Sequence, residues 1–423
     1  MGMRVTARFL VCGAALVAAA GCVKETRPLP LKQATQATQE IPQQQLLDVG
    51  IHVLDPGIPK AVEEDPALAD KTRVYPEIRR AEARYAALQL RDVLEGTGHW
   101  GAARVVPASV KSFDLTVDGR IVESNGKYLK LKITVTDATG AVWYEDREYE
   151  GLADTRAYKD GYNAGRDPFE NLYVQIADDL LTTRNQKSGA QLENIRRVSE
   201  LRFAADFAPV AFKQYLGQDA KRGRYQVLRL PAENDALLGR VRQIRERDYG
   251  MIDTLSDNYA AFAERLEEPY TSWRRYTYDE IVAEEKLKAQ ARNRMLLGAA
   301  AVVAAVAVPD NCSSRNSCRV TDAARYGGVA GGVAAVISGY KKREEAKIHT
   351  ESLKEISGSF QSEAAPLVVD VEGRALRLTG TAEEQYAEWR RLLHELYREE
   401  TGLVPTAPAA DTTAPAARAD GAG

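Results

Sequence analysis

Cysteine is the residue type in this 423-residue chain best suited to covalent or metal chemistry, and the chain has four cysteines. Cys312 and Cys318 lie close together in a short polar loop, where they suit either a disulfide bond or two ligands of a metal ion. No histidine lies near them, which disfavours a metal site. The four histidines are scattered along the chain as His52, His99, His349 and His394.

The other two cysteines lie in an N-terminal segment that has the three parts of a secretory signal peptide. Arg4 and Arg8 form a basic start, residues 9–20 are apolar, and the segment closes on Ala19-Ala20-Gly21-Cys22. This ending resembles the lipobox of bacterial lipoproteins. The resemblance implies cleavage before Cys22, acylation of that cysteine and, because Val23 follows it, delivery to the outer membrane. A plain secretory leader with an incidental cysteine is the alternative.

Export to an oxidising compartment favours a disulfide between Cys312 and Cys318. The loop that it would close joins two apolar segments, residues 295–308 (MLLGAAAVVAAVAV) and 326–340 (YGGVAGGVAAVISGY). Fifteen helical residues span only about 22 Å, which is short for a typical bilayer but less so for the thinner outer membrane. Two interpretations stay open: a hairpin (residues 295–340) inserted in the membrane, or one buried inside the protein or an oligomer.

Small residues suit this hairpin to close helix packing, because glycines four positions apart remove side chains from one helix face. The pattern resembles that of glycine-zipper envelope proteins. The predicted packing glycines are Gly298, Gly327, Gly328, Gly331, Gly332 and Gly339. Basic residues flank both outer ends of the hairpin, where they would meet anionic lipid head groups. These predicted contacts are Lys286, Arg292, Arg294, Lys341, Lys342 and Arg343.

The sequence predicts an α+β fold whose N-terminal part, residues 47–185, is an α/β sandwich domain. A strand at 49–54 and a helix at 76–95 are followed by a predicted four-strand antiparallel meander and a helix from residue 168. The meander strands are expected at 104–106, 115–121, 129–135 and 143–149. Asn125-Gly126 predicts a turn with positive φ at both residues. Asp167 and Glu170 predict a capping box for the second helix.

This element order resembles the periplasmic α/β module of envelope lipoproteins, together with the runs DLTVDG, SNG and DATG at residues 114–119, 124–126 and 137–140. Examples are the curli-secretion-channel lipoprotein, the activators of penicillin-binding proteins and the N-terminal domain of the Tol translocation protein. The resemblance covers about a third of the chain. It implies an envelope partner in peptidoglycan synthesis or secretion. An unrelated α+β domain is the alternative.

Residues 190–294 are predicted to be mostly helical, with an extended interruption at 223–231. Pro269 is expected to kink or end the last helix of this region. Apolar residues at spacings of three and four predict a seam that packs on another helix of the same chain. The seam consists of Ile252, Leu255, Tyr259, Phe262 and Leu266. The aromatic residues that follow are predicted to pack between helices, and they are Tyr270, Trp273, Tyr276 and Tyr278.

Residues 341–402 are predicted to form a charged helix and a small ββα unit that docks on the helical region, with a capping box at Thr381 and Glu384. The remaining segments are a signal peptide (1–21), a flexible tether (22–46) and a disordered tail (403–423).

The formal net charge of −3 gives no general reason to expect nucleic acid as a partner. The sequence has no Gly-rich phosphate loop, no Gly-x-Ser-x-Gly elbow and no His-Glu-x-x-His pair. We therefore expect a non-enzymatic outer-membrane lipoprotein, without cofactor or metal, with a periplasmic binding or scaffold role in envelope assembly or maintenance. A subunit of a homo-oligomeric α-helical outer-membrane channel or export complex is the alternative.

Overall fold

The computed structural model describes residues 30–65, 67–158, 166–219, 221–232, 234–306, 367–371 and 374–401, with backbone alone for 287–306 and 367–376. These residues form an α+β fold, as predicted. The leader, the loop with Cys312 and Cys318, the second apolar segment, the charged helix expected after residue 341 and the tail lie outside the described residues.

A five-stranded mixed sheet forms the centre of the N-terminal part. Its strands are β1 (Val49–His52), β2 (Ala103–Val106), β3 (Leu115–Ser124), β4 (Tyr128–Asp137) and β5 (Val142–Leu152). They lie in the order β2-β1-β3-β4-β5. β1 pairs in parallel with β2 and with β3, whereas β3, β4 and β5 pair antiparallel in sequence. The predicted four-strand meander is therefore wrong, because β2 lies on the far side of β1.

The helix between β1 and β2 explains why β2 lies on the far side of β1. α3 (Pro76–Thr97) follows the short helices α1 (Lys60–Glu64) and α2 (Leu68–Thr72), and it carries the chain back to the start of the sheet. A helical crossover of this kind joins parallel strands. α3 ends at Gly98, whose φ of 69° is a conformation that glycine adopts without a steric penalty.

α3 and α4 (Glu170–Asn185) pack against each other and cover one face of the sheet. Burial alternates along β4, as expected for a strand with one covered face. The buried side chains are Leu129, Leu131, Ile133, Val135 and Asp137. The predicted α/β sandwich is confirmed, whereas the antiparallel meander has three strands, β3 to β5, instead of the four predicted.

A second helical layer follows α4 after a turn of three residues. Ser188 and Gln191 form a reciprocal capping box that begins α5 (Gly189–Phe207). The short α6 (Pro209–Phe212) leads into a hairpin of β6 (Leu216–Asp219) and β7 (Arg224–Val227). The predicted interruption of the helical region is thus a complete hairpin, and it begins before residue 223.

α7 (Ala236–Val306) is a continuous helix of 71 residues, about 107 Å long at 1.5 Å per residue. Pro269 lies inside it, so the prediction that the helix could end there is wrong. Proline removes one backbone hydrogen bond, but side chains on both sides of it are anchored in the core. Leu266, Tyr270 and Trp273 are all buried there.

The predicted seam of α7 is confirmed, since each of its five residues is at most 4% exposed. The seam packs against α3, the β2 edge and α5, all within this chain. Tyr270 and Trp273 are buried beside it, and Tyr278 packs against the same core. The prediction that the aromatic residues pack in the protein interior is therefore confirmed for Tyr270, Trp273 and Tyr278.

The C-terminal unit consists of β8 (Leu367–Val371), β9 (Arg374–Leu378) and α8 (Ala382–Thr401). The predicted capping box is present: Thr381 N–H donates to Glu384 Oε2 at 2.8 Å, and Glu384 N–H donates to Thr381 Oγ1 at 3.2 Å. α8 packs on α7, as predicted, and with α5 and the loop after β2 it encloses a second core.

The predicted hairpin turn at Asn125-Gly126 is confirmed, but two details of the local predictions in the N-terminal domain are wrong. The β3–β4 turn contains Asn125 and Gly126, but neither residue has positive φ. Gly126 instead lies against the backbone of α7, where an added Cβ would be 1.8 Å from the carbonyl oxygen of Arg274. The predicted capping box at α4 is also absent, because Asp167 accepts from Phe169 N–H whereas Glu170 pairs with Arg166 at 2.7 Å.

Residues 30–46 lie along the surface of the domain. Lys32 N–H donates to Asn171 Oδ1 at 2.9 Å, Thr35 N–H donates to Asp178 Oδ1 at 3.0 Å, and Ala37 N–H donates to the carbonyl oxygen of Thr97 at 2.8 Å. These contacts tie the described part of the predicted tether to α4 and to the end of α3.

Across the described residues, none of the helices has both the length and the hydropathy that crossing a bilayer requires.

Candidate functional site

Most of the predicted site residues lie outside the described residues. These are Cys22, Cys312, Cys318, Gly327, Gly328, Gly331, Gly332, Gly339, Lys341, Lys342 and Arg343. Gly298, Arg292 and Arg294 lie on the described backbone of α7. Lys286, on the same helix, is exposed.

The described residues form a different candidate site, a cleft enclosed by four separate parts of the chain. Its walls are the loop 109–113 after β2, one face of α5, the segment from Lys213 through β6 and β7, and the first turns of α8. We call it the basic cleft. Its volume is about 750 Å³, within the usual range for sites that bind small molecules.

Four cations and one carboxylate line the basic cleft: Lys111, Arg202, Lys213, Arg390 and Asp206. Arg390 is neutralised within the protein, since it pairs with Asp206 and lies 3.4 Å from Asp248. Arg202 donates to the carbonyl oxygen of Ala138 at 2.7 Å, and that acceptor carries no formal charge.

Lys111 and Lys213 are exposed, and neither ammonium has an acidic partner among the described residues. Together with Arg202, they leave three positive charges in the basic cleft without a neutralising carboxylate. Three unneutralised cations create a positive potential that attracts an anion.

The floor of the basic cleft is apolar and aromatic. Phe113, Phe203 and Tyr386 are each at most 4% exposed. Tyr225 is half-buried at the side, and the guanidinium carbon of Arg202 lies 4.5 Å from the centre of its ring. An arginine held over an aromatic face presents its remaining N–H groups in a fixed orientation.

The two carboxylates beside Arg390 are held differently. A hydrogen bond with His394 and the charge of Arg390 lower the pKa of Asp206. Burial raises the pKa of Asp248 to about 6, although Arg390 and a hydrogen bond from Tyr386 oppose the shift. Both carboxylates face Arg390, so neither is placed to neutralise Lys111 or Lys213.

One wall of the basic cleft is held to the sheet by His52 on β1. The Nε2–H group of His52 donates to the carbonyl oxygen of Val110 at 2.8 Å, and its Nδ1 lies 2.7 Å from Asp118 Oδ1. Both neighbours are acceptors, so the two contacts are satisfied together only when both ring nitrogens carry protons. When both contacts are made, neither ring nitrogen of His52 has a lone pair free to act as a general base.

The same wall is fastened to α8. Glu383 accepts from Ala108 N–H at 2.7 Å and from the Ser109 hydroxyl at 2.6 Å. The charge of Glu383 also affects His52. Burial lowers the pKa of His52, but the hydrogen bonds to Asp118 and Val110 and the charges of Asp118 and Glu383 together have the larger, opposite effect. The pKa of His52 is therefore raised above its usual 6.5. The loop thus joins β1, β3 and α8.

A second group of charges is buried where α7 meets the sheet domain. We call it the junction cluster: Glu82, Asp167, Tyr270 and Arg274. Arg274 donates to Asp167 at 2.7 Å, and Tyr270 donates to Glu82 at 2.5 Å. Ser124 also donates to Glu82. All four members are at most 7% exposed, and these charges join α3, α7 and the start of α4.

No group of three or more His, Cys, Asp and Glu side chains within the described ranges is arranged to bind a metal ion. The basic cleft is suited to binding an anion by charge and stacking.

Sequence reasoning did not find the basic cleft. Lys111 and Arg390 are far in sequence from Arg202 and Lys213, and no spacing along the chain links the four residues. The one partial signal in the sequence is Tyr225, which lies within the predicted extended interruption at residues 223–231.

No family model matches the chain, and no curated protein shows significant sequence similarity to it.

Proposed function

We propose that the protein is a non-enzymatic outer-membrane lipoprotein that faces the periplasm and acts by binding an envelope partner. The single observation that carries this proposal is the leader that ends in Ala19-Ala20-Gly21-Cys22. In this proposal acyl chains on Cys22 hold the protein at the membrane, and the folded part presents a binding surface to the periplasm. The partner takes part in envelope assembly or maintenance, such as peptidoglycan synthesis or secretion.

Two features of the described residues support a binding and scaffold role. The basic cleft is open and carries charges that no carboxylate among the described residues neutralises. α7 is fastened to the sheet domain by the buried Arg274–Asp167 pair, so the long helix holds a fixed direction relative to the domain. A single long helix anchored in this way suits a protein that keeps a partner at a set distance.

Site-specific photocrosslinking in intact cells tests the binding role. A benzoylphenylalanine at position 111, on the rim of the basic cleft, is compared with the same residue at position 60, an exposed lysine of α1. We expect an envelope protein to crosslink from position 111 and not from position 60. Identical products from both positions, or none from position 111, would contradict the binding role.

Cell fractionation tests the proposed location. We expect the wild-type protein in the outer-membrane fraction, and we expect proteases to digest it only after the outer membrane is permeabilised. Recovery of the wild-type protein in the soluble or inner-membrane fraction would contradict the proposed anchor. Carbonate extraction of a Cys22→Ala variant, exported by another signal peptide, then tests the hairpin as a second anchor.

A second candidate is a homo-oligomeric helical channel or export subunit, favoured by the glycine spacing over residues 327–339. Light scattering in mild detergent and conductance in planar bilayers distinguish the two candidates. A monomer without conductance removes the channel, and a conducting oligomer replaces the scaffold role.

A further inference from the structure

We infer that the basic cleft binds an amphipathic anion, meaning a phosphate or carboxylate group joined to an aromatic or aliphatic portion. The inference names a ligand class for the binding role proposed above and rests on that role. The ligand group would be a separate small molecule or a group displayed by a larger partner, and the chemistry of the contact is the same.

The anionic part of the ligand follows from the cations that have no counter-ion among the described residues. Lys111 stands on one wall and Lys213 on another, and both are exposed without an acidic partner among the described residues. Arg202 lies over the Tyr225 ring at the side of the cleft, and among the described residues one of its N–H groups donates a hydrogen bond, to the carbonyl oxygen of Ala138. An anion in the basic cleft would receive charge-assisted hydrogen bonds from several directions.

The carboxylates near the basic cleft do not cancel this charge. Asp206 pairs with Arg390 and lies 3.6 Å from His394 Nε2. Glu383, at the rim, accepts from Ala108 and Ser109 and so fastens the loop wall. Their acceptor atoms face these partners, so Lys111, Arg202 and Lys213 stay available to a ligand.

The apolar part of the ligand follows from the floor. Phe113, Phe203 and Tyr386 form a buried base beneath the cations, and Leu216 and Tyr225 line one side. An inorganic ion would leave the half-buried side chains of Leu216 and Tyr225 in contact with water, whereas the buried base is already shielded from it. A ligand that adds an aromatic or aliphatic portion removes that surface from water and gains affinity without further charge.

The test is a calorimetric titration of the full chain, purified from membranes in a non-ionic detergent. Four probes separate the parts of the inference: phenyl phosphate, phenylacetate, inorganic phosphate and benzyl alcohol. We expect phenyl phosphate or phenylacetate to bind about tenfold more tightly than inorganic phosphate and benzyl alcohol. The tighter of the two aromatic anions tells whether phosphate or carboxylate is the natural anion. Equal binding of benzyl alcohol, or no binding of either aromatic anion, overturns the inference.

Charge variants tie the binding to this cleft. The double substitution Lys111→Gln and Lys213→Gln should weaken phenyl phosphate binding by about tenfold. Lys60→Gln with Lys71→Gln makes the same change of charge on α1 and α2, and it should leave the affinity unchanged. Equal effects of the two pairs would show non-specific charge attraction and overturn the inference.

A third comparison uses two substitutions that add a side chain and remove no existing contact. Ala387 is an exposed residue of α8 that lines the basic cleft. Ala387→Glu adds a negative charge there, and Ala387→Gln adds a side chain of the same size without charge. We expect weaker phenyl phosphate binding for Glu than for Gln, and equal affinities would overturn the inference. These titrations measure ligand binding to the basic cleft in purified protein, whereas cell fractionation tests the membrane anchor. The inferred ligand class and the proposed location can therefore fail independently.

Discussion

Arg274 and Lys213 carry the same charge in opposite surroundings. The Arg274 guanidinium is buried, donates to Asp167 at 2.7 Å and lies 4.1 Å from the centre of the Tyr270 ring. The Lys213 ammonium is exposed at the basic cleft and has no acidic partner among the described residues. The junction cluster therefore uses its charges inside the protein, whereas the basic cleft leaves them available.

This difference assigns a role to each region. A buried charge without a partner costs several kcal/mol, so the members of the junction cluster depend on one another for stability. An exposed lysine contributes little to stability, because water already solvates its charge. Substitutions in the junction cluster should therefore change the free energy of unfolding, and substitutions in the basic cleft should change ligand affinity.

Arg274→Met is expected to have the largest effect on stability. It leaves the Asp167 carboxylate buried without its cation, which should lower the free energy of unfolding by about 3–5 kcal/mol in urea denaturation. The double variant Arg274→Met with Asp167→Asn removes both charges and should lose less than the single variant. An equal or larger loss in the double variant would show that the ion pair does not hold this junction.

Gly126→Ala tests the contact between the β3–β4 turn and α7. The added Cβ would lie 1.8 Å from the Arg274 carbonyl oxygen and 2.5 Å from Tyr278 N, so the turn or the helix must move. We expect a loss of about 3 kcal/mol in thermal or urea unfolding. Gly250→Ala, inside α7 with nothing within 4 Å of its Cβ position, should instead stabilise by about 0.5–1 kcal/mol. Equal effects of the two variants would contradict the close approach.

Tyr270→Phe tests the hydrogen bond to the buried Glu82 carboxylate. Its loss should lower the free energy of unfolding by about 2 kcal/mol, as expected for a hydrogen bond to a charged group. Tyr397→Phe is the matched control, because the buried Tyr397 hydroxyl has no hydrogen-bond partner among the described residues. The control should leave stability unchanged or raise it slightly. If both variants lose the same free energy, the hydroxyl of Tyr270 is not the stabilising group.

His52 should give the smallest effect, a dependence of stability on pH. Its pKa in the folded protein is raised above 6.5 by Asp118, Val110 and Glu383, which outweigh burial. Its stabilisation is therefore complete below pH 6.5 and is lost as pH rises through the raised pKa. The urea midpoint should fall over that interval for the wild-type protein and stay flatter for His52→Gln. Parallel pH profiles would show that His52 does not hold the wall of the basic cleft.

The parts of this fold that follow local periodicity were predictable from the sequence. The α7 seam repeats at three and four, the β4 side chains alternate, and Thr381 with Glu384 stands at the spacing of a capping box. Each of these patterns depends on residues within a few positions of one another. The local sequence alone is therefore enough to predict the element.

Features that depend on distant contacts were not predictable in the same way. β2 has the composition of a meander strand, but the crossover through α3 places it on the far side of β1. The sequence suggests that Gly126 is needed for the turn. In the structure, however, the residue that lies there must be small because the backbone of α7, distant in sequence, packs against it. Lys111, Lys213 and Arg390 of the basic cleft come from separate parts of the fold. No local sequence pattern indicates that these residues lie close together.

The most direct test of the proposed lipid-anchored protein is the mass of its mature N-terminal peptide. Our account predicts that mass spectrometry of the protein from membranes finds Cys22 as the first residue, carrying a diacylglyceryl group and an amide-linked acyl chain. A mature protein that begins at another residue, or that begins at an unmodified Cys22, would contradict it.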